Sequence, residues 1–182
     1  DEYAYIAPDP LNPNIVYGGR VTKFDHRTGQ VQNIAPEAIR SGKYRTLRTA
    51  PLIFSPVDKR SLFYATNVLW KTMNGGNSWD IISPDLSRET NDIPENIGIF
   101  KSDDLKTMAR RGVIYSVSPS YKDVKVIWAG TDDGLVHVTM NGGKNWKNVT
   151  PSELTSWSKI SQIDAGRFDE HTAYISVNRF KL

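Results

Sequence analysis

Cysteine is absent from this chain of 182 residues, which excludes a disulfide framework and any thiolate-ligated metal. No apolar run approaches 18 residues, so nothing in the sequence spans a membrane as a helix. Blocks of like charge are missing too. The 23 basic and 20 acidic residues leave +3, too small a surplus to imply nucleic acid or an anionic membrane as partner. Histidine is scarce: His26, His137 and His171 are remote from one another and form no i,i+4 pair, so no zinc site is expected. No glycine-rich loop leads from a strand into a helix, which removes nucleotide binding; no cofactor of any kind is expected. Helical periodicity is thin. Pro36–Arg40 suits a single turn, and 101–111 a short helix around Leu105 and Met108.

What is present is aromatic and turn-rich. Five Trp, eight Tyr and scattered Gly and Pro suit an all-β fold. Two segments are near copies: Thr72 to Trp79 reads TMNGGNSW, and Thr139 to Trp146 reads TMNGGKNW. Each lies between β-type runs, so the same hairpin is used twice, and a repeated hairpin means a repeat architecture. Asn74 and Asn141 are expected to bond backbone N–H groups two residues on. Gly76 and Gly143 supply positive φ without steric cost. The hydroxyls of Thr72 and Thr139 help close the turn. Trp79 and Trp146 offer large apolar faces for packing between sheets, and burial beside their own turns is expected.

Aligning the second strand of each unit exposes the period. Asn14–Gly18, Ser61–Ala65, Lys125–Ala129 and His171–Ile175 carry aromatics at 17, 64, 128 and 174, spaced by 47, 64 and 46. Removing roughly 17 residues from the middle gap makes the period constant, and four-stranded propeller blades repeat every ~40–50 residues. First strands are expected at Tyr3–Ile6, Thr49–Phe54, Gly112–Val117 and Lys159–Asp164. The expected fold is therefore a partial β-propeller over 1–182, with four-stranded antiparallel blades near 1–35, 49–82, 112–150 and 159–182, the last incomplete. A long inter-blade insertion covers about 83–111. The chain starts at Asp1 and stops in what reads as a strand, Val177–Leu182; it is read as a piece of a longer protein.

The two octapeptides resemble the Asp-box, Ser/Thr-x-Asp-x-Gly-x-x-Trp, with Asn in the Asp position both times. Asp-boxes occur on the blades of sialidases, xyloglucanases and sortilin-type receptors. With SPDLS (Ser83–Ser87) and AGTDDGLVHVT (Ala129–Thr139), most of the chain resembles the sortilin-type, BNR-repeat propellers of large secreted bacterial proteins labelled glycosyl hydrolases. That resemblance implies more than four blades, the rest supplied by a longer parent chain, and an extracytoplasmic location.

Strand order places the repeated hairpins on one propeller face. The opposite, loop-rich face collects Arg20, Asn67, Asp132, Asp133, the connector with Tyr44, Arg45 and Arg48, and the insertion, and loops longer than ~12–15 residues are usually functional or disordered. A ligand is expected there. Asp132 is the one catalytic candidate: xyloglucan-cleaving propellers carry an acid in a similar Thr-Asp-x-Gly turn. Inverting hydrolysis needs carboxyls ~6.5–9.5 Å apart across a cleft, and adjacent strand residues point to opposite sides. Asp132 and Asp133 therefore do not make the pair; Asp103 and Asp104 are the alternatives, and a solvated Asp-Gly turn is the plain structural reading. A sialidase site from Tyr44, Arg20, Arg45 and Arg48 competes with the reading that these arginines serve the connector itself. The sequence thus points to a non-enzymatic module binding protein or peptide, with a xyloglucanase-type glycoside hydrolase, and hence a carbohydrate ligand, as the alternative.

Overall fold

The structure, a computed structural model, describes residues 4–182, apart from the Lys106 side chain. Fourteen strands form four antiparallel sheets in chain order. The first contains β1 (Ile6–Pro8), β2 (Ile15–Gly18), β3 (Thr22–Asp25) and β4 (Gln30–Asn33). The second contains β5 (Leu52–Phe54), β6 (Leu62–Ala65), β7 (Leu69–Thr72) and β8 (Asp80–Ile81). The third contains β9 (Ile114–Pro119), β10 (Ile127–Thr131), β11 (Val136–Thr139) and β12 (Lys147–Asn148). The fourth has two strands, β13 (Lys159–Ala165) and β14 (Ala173–Asn178). The first three are simple up-and-down meanders, the blade topology of a β-propeller, and the fourth is one hairpin. Tyr3, expected to open the first strand, lies outside the described residues.

Period-two alternation builds the core as three layers between successive sheets. Leu62 and Tyr64 of β6 face the first sheet and join Ala7, Ile15 and Tyr17. Phe63 and Ala65 face the other way and join Ile114, Ile127 and Ala129 of the third sheet. Val126, Trp128 and Val138 then meet Ile160, Ile163 and Ala165 of the fourth. A middle strand buried on both faces has no polar side to show, which is why β6 and β10 are buried at every position.

The two hairpins share the hydrogen bonds that close their turns. Thr72 Oγ1 accepts from Gly76 N at 3.0 Å, and Thr139 Oγ1 accepts from Gly143 N at 3.0 Å. Asn74 Oδ1 accepts from Ser78 N at 3.0 Å, and Asn141 Oδ1 from Asn145 N at 2.9 Å. The asparagines therefore bridge four residues, not the two expected, because the turn holds two glycines at positive φ in each copy, Gly75–Gly76 and Gly142–Gly143. The tryptophans also differ from expectation. They are half-buried, and each reaches the preceding blade: Trp79 Nε1 donates to the Ile34 carbonyl and Trp146 Nε1 to the Ile82 carbonyl, both at 2.7 Å. Ile34 and Ile82 directly follow β4 and β8, so the clamp joins blades rather than closing its own turn.

Among the described residues, helix is confined to 3-10 turns at Glu37–Ser41, Gly98–Phe100 and Asp103–Lys106. The helix expected over 101–111 is thus a single short turn. No helix among the described residues is long and apolar enough to cross a membrane.

Candidate functional site

The loop-rich face carries a cleft of about 530 Å³. It opens where the β10–β11 turn, the insertion, the start of β9, the connector before β13 and the segment after β14 meet. Its lining combines aromatic rings (Phe100, Tyr115, Trp157, Phe180), cations (Arg88, Arg111, Lys159, Lys181), apolar Leu47, Leu105 and Met108, and the acids Asp132 and Asp133.

The Asp132-Asp133-Gly134 turn is the hub. Thr131 Oγ1 donates to Asp133 and accepts from Leu135 N, and Gly134 takes φ of 94°, a conformation that favours glycine. The two carboxylates then diverge, as adjacent residues should. Asp132 Oδ1 accepts from Val113 N at 2.8 Å, just before β9. Asp133 Oδ2 accepts from Arg88 N at 2.8 Å, while the Asp133 carbonyl takes Arg88 Nε at 2.8 Å and Trp157 N at 3.2 Å. One turn thereby pins the insertion and the connector to the third sheet. Burial pushes the Asp132 carboxyl up to about 6, with the Asp133 charge adding to the effect. Burial also raises Asp133, opposed by the hydrogen bonds from Thr131 and Arg88.

A second cluster anchors the near end of the insertion. Arg45 Nη2 meets Asp85 Oδ2 at 2.6 Å, and Arg110 Nη2 meets Asp85 Oδ1 at 3.0 Å. Asn67 donates to Asp85 at 2.9 Å and accepts from Arg45 N at 2.9 Å. Arg45 Nε also donates to the Gly112 carbonyl at 3.0 Å. Burial works to raise the Asp85 carboxyl, but hydrogen bonds from Arg45, Ser87 and Asn67 outweigh it and hold it below the usual range. Arg45 and Asn67 thus join the insertion to the second sheet and do not line the cleft.

The remaining sequence candidates are dispersed. Tyr44 packs edge-on against Trp70 with ring centroids 4.8 Å apart. Arg20 and Arg48 are exposed and are not among the cleft-lining residues. With Arg45 engaged by Asp85, the three arginines of the sialidase reading do not meet in the cleft lining among the described residues. Asp103 and Asp104 are exposed on their 3-10 turn, outside the cleft lining. His137 is buried with Nδ1 unpartnered, and burial pushes its imidazole down to about 4. No cluster of three or more metal-ligating side chains occurs among the described residues.

Sequence reasoning missed the aromatic part of the cleft. Phe100, Tyr115, Trp157 and Phe180 come from four separate segments, and only the fold brings them together. Trp157 carried one local signal: it is a tryptophan in a polar connector, where its φ of 66° is strained for a bulky side chain. Its indole Nε1 donates to the Asn91 carbonyl at 3.2 Å, tying the connector to the insertion.

No protein-family profile matches the chain, and no curated protein resembles it in sequence. Among solved structures, an ancestral GH74 enzyme superposes with a TM-score of 0.57 at 18% identity, over 94% of this chain and 21% of that enzyme. A GH74 enzyme of Niastella koreensis gives a TM-score of 0.30 at 13% identity, over 95% of this chain and 38% of the other, too low to carry a structural comparison. GH74 enzymes are β-propellers, and the first likeness is one of fold. The chain spans about a fifth of the length of that enzyme.

Proposed function

We propose that the chain is a non-catalytic propeller module that binds protein or peptide at the cleft of its loop-rich face, in an extracytoplasmic protein. The observation that carries this reading is the use made of the cleft's acids. Asp132 and Asp133 are the only carboxylates in its lining, they are neighbours in sequence, and both accept backbone hydrogen bonds that hold the insertion and β9. Hydrolysis of a glycoside needs two carboxyls facing each other across the substrate, and among the described residues the cleft has no opposed partner. What is left is a concave surface of aromatic rings and charged groups, the composition that suits polypeptide recognition.

One observation favours a second reading. A half-buried carboxyl raised to about 6, beside aromatic rings, is how a general acid is prepared. Under that reading Asp132 is half of a glycoside hydrolase pair whose other half lies outside this chain, in keeping with the GH74 likeness.

A random peptide library selected on the immobilised chain, with affinities then measured by calorimetry, separates the two. The binding reading expects enriched peptides whose affinity falls at least fivefold in Tyr115→Ala. Release of products from β-glucan oligosaccharides, abolished by Asp132→Asn, would establish the hydrolase instead.

A further inference from the structure

Two ammonium groups already sit on aromatic rings inside the cleft. Lys159 Nζ lies 3.9 Å from the centroid of Tyr115 and 5.9 Å from that of Phe180. Lys181 Nζ lies 5.6 Å from Trp157, 5.9 Å from Phe100 and 5.4 Å from Phe180. All are within the ~6 Å at which a ring face attracts a cation. The two lysines are not equivalent. Lys159 is the first residue of β13 and belongs to the wall. Lys181 follows β14 on an exposed segment, and its ammonium enters a space whose rings come from the insertion, the connector and its own neighbour.

The rings around Lys181 also make contacts of their own within the cleft wall. Trp157 is fixed by its bonds to Asn91 and Asp133. Phe100 and Phe180 meet edge to face at 6.3 Å. The position of Trp157 therefore does not depend on the Lys181 side chain, and Asp132 is close enough for its charge and that of Lys181 to interact. Aromatic faces grouped about one ammonium, with a carboxylate behind them, are the chemistry that recognises lysine and its methylated forms.

We infer that the space bounded by Phe100 and Trp157 is a lysine-recognition pocket, and that Lys181 occupies it as an internal stand-in for a lysine side chain of the bound peptide. This rests on the peptide-binding reading and names the residue that the peptide presents. A ligand ammonium replaces one already present, so the charge of the cleft does not change on exchange. Competition with Lys181 makes the pocket selective for peptides that also bind elsewhere in the cleft.

The test is a titration followed by NMR at the Trp157 indole N–H, assigned with Trp157→Phe. The probes are Nα-acetyl-lysine methylamide, its Nζ-trimethyl form, and two neutral controls, the Nζ-acetyl form and the norleucine analogue. In Lys181→Ala the two cations are expected to shift the resonance at millimolar concentration and to bind about tenfold more tightly than in the unaltered chain. The neutral compounds are expected to leave it in place. Phe100→Ala in the same background should weaken binding about threefold or more, with the thermal midpoint of each variant confirming that it folds. No response to either cation in Lys181→Ala, or an equal response to norleucine, overturns the pocket. Library peptides that bind the cleft without needing lysine would remove the pocket while leaving the peptide-binding reading standing. Failure of every peptide to bind would remove that reading itself.

Discussion

Each hairpin tryptophan makes one polar contact through its indole, and it crosses a blade boundary. Loss of a neutral hydrogen bond costs on the order of 1 kcal/mol. Trp79→Phe and Trp146→Phe keep most of the apolar surface and should each lose about that much in chemical denaturation. The alanine variants forfeit packing as well and should lose about 3 kcal/mol. Equal losses for Phe and Ala would mean that the indole N–H contributes nothing. His137 makes a different kind of residue-scale prediction. Its imidazole falls to about 4 in the fold against an ordinary value near 6.5. The unfolded chain therefore takes up the proton first, and the stability present above pH 6.5 is lost as pH falls towards 4. Asp132, raised to about 6, has the opposite sign: its contribution is full below the unfolded carboxyl value and is lost as pH rises through 6. Urea midpoints at pH 7.5 and 4.5 separate them. His137→Leu should gain stability relative to the unaltered chain on acidification, and Asp132→Asn should lose it.

At the scale of the element, the repeated hairpins look interchangeable and are not. Both second glycines hold positive φ, 90° at Gly76 and 96° at Gly143, where a side chain costs ~1–2 kcal/mol. A Cβ on Gly76 would meet the side chain of Ile34, with Cδ1 at 2.5 Å and Cβ at 2.7 Å; one on Gly143 would meet the Ile82 carbonyl oxygen at 2.4 Å. The Ile34 Cδ1 can turn aside by side-chain rotation, whereas the Ile82 oxygen is backbone and also accepts the Trp146 indole. Gly143→Ala should therefore be the more destabilising by at least about 1 kcal/mol, measured as paired unfolding free energies. Equal values would show that the Ile82 backbone yields freely. The hairpins were legible in the sequence because their chemistry is local: a threonine, an asparagine and two glycines close the turn within eight residues. The second strands were legible through Tyr17, Tyr64, Trp128 and Tyr174. The clamp was not, since the Trp79 indole finds its acceptor 45 residues away and nothing near either residue signals the other. The cleft was half legible. Asp132 and Asp133 stood out as an Asp-Gly turn, but their roles as acceptors for Val113 and Arg88 depend on backbone from other elements. Asp85, which joins Arg45 to Arg110, drew no attention because its partners are remote in sequence.

At the scale of the whole molecule, the fourth sheet ends on β14, a six-residue strand with no further strand paired to it among the described residues. An unpaired edge is a template for another chain. Tyr174 on that strand is 69% exposed, and Phe168 in the connection from β13 is 91% exposed. The chain should associate in a concentration-dependent way in light scattering, and Tyr174→Lys should reduce that association. A monodisperse monomer at high concentration would show that the edge is protected by its own surroundings.

The indole clamp also has a direction. Trp79 acts on a carbonyl made before it, and so does Trp146; neither waits for residues still to come. Ribosomes deliver a chain from its amino end at ~5–20 residues per second, several seconds for each blade. A blade of this design can fasten to its predecessor as soon as its own hairpin has emerged. These blades can thus be assembled in the order of their synthesis, like a zip drawn from one end, each fastened before the next emerges.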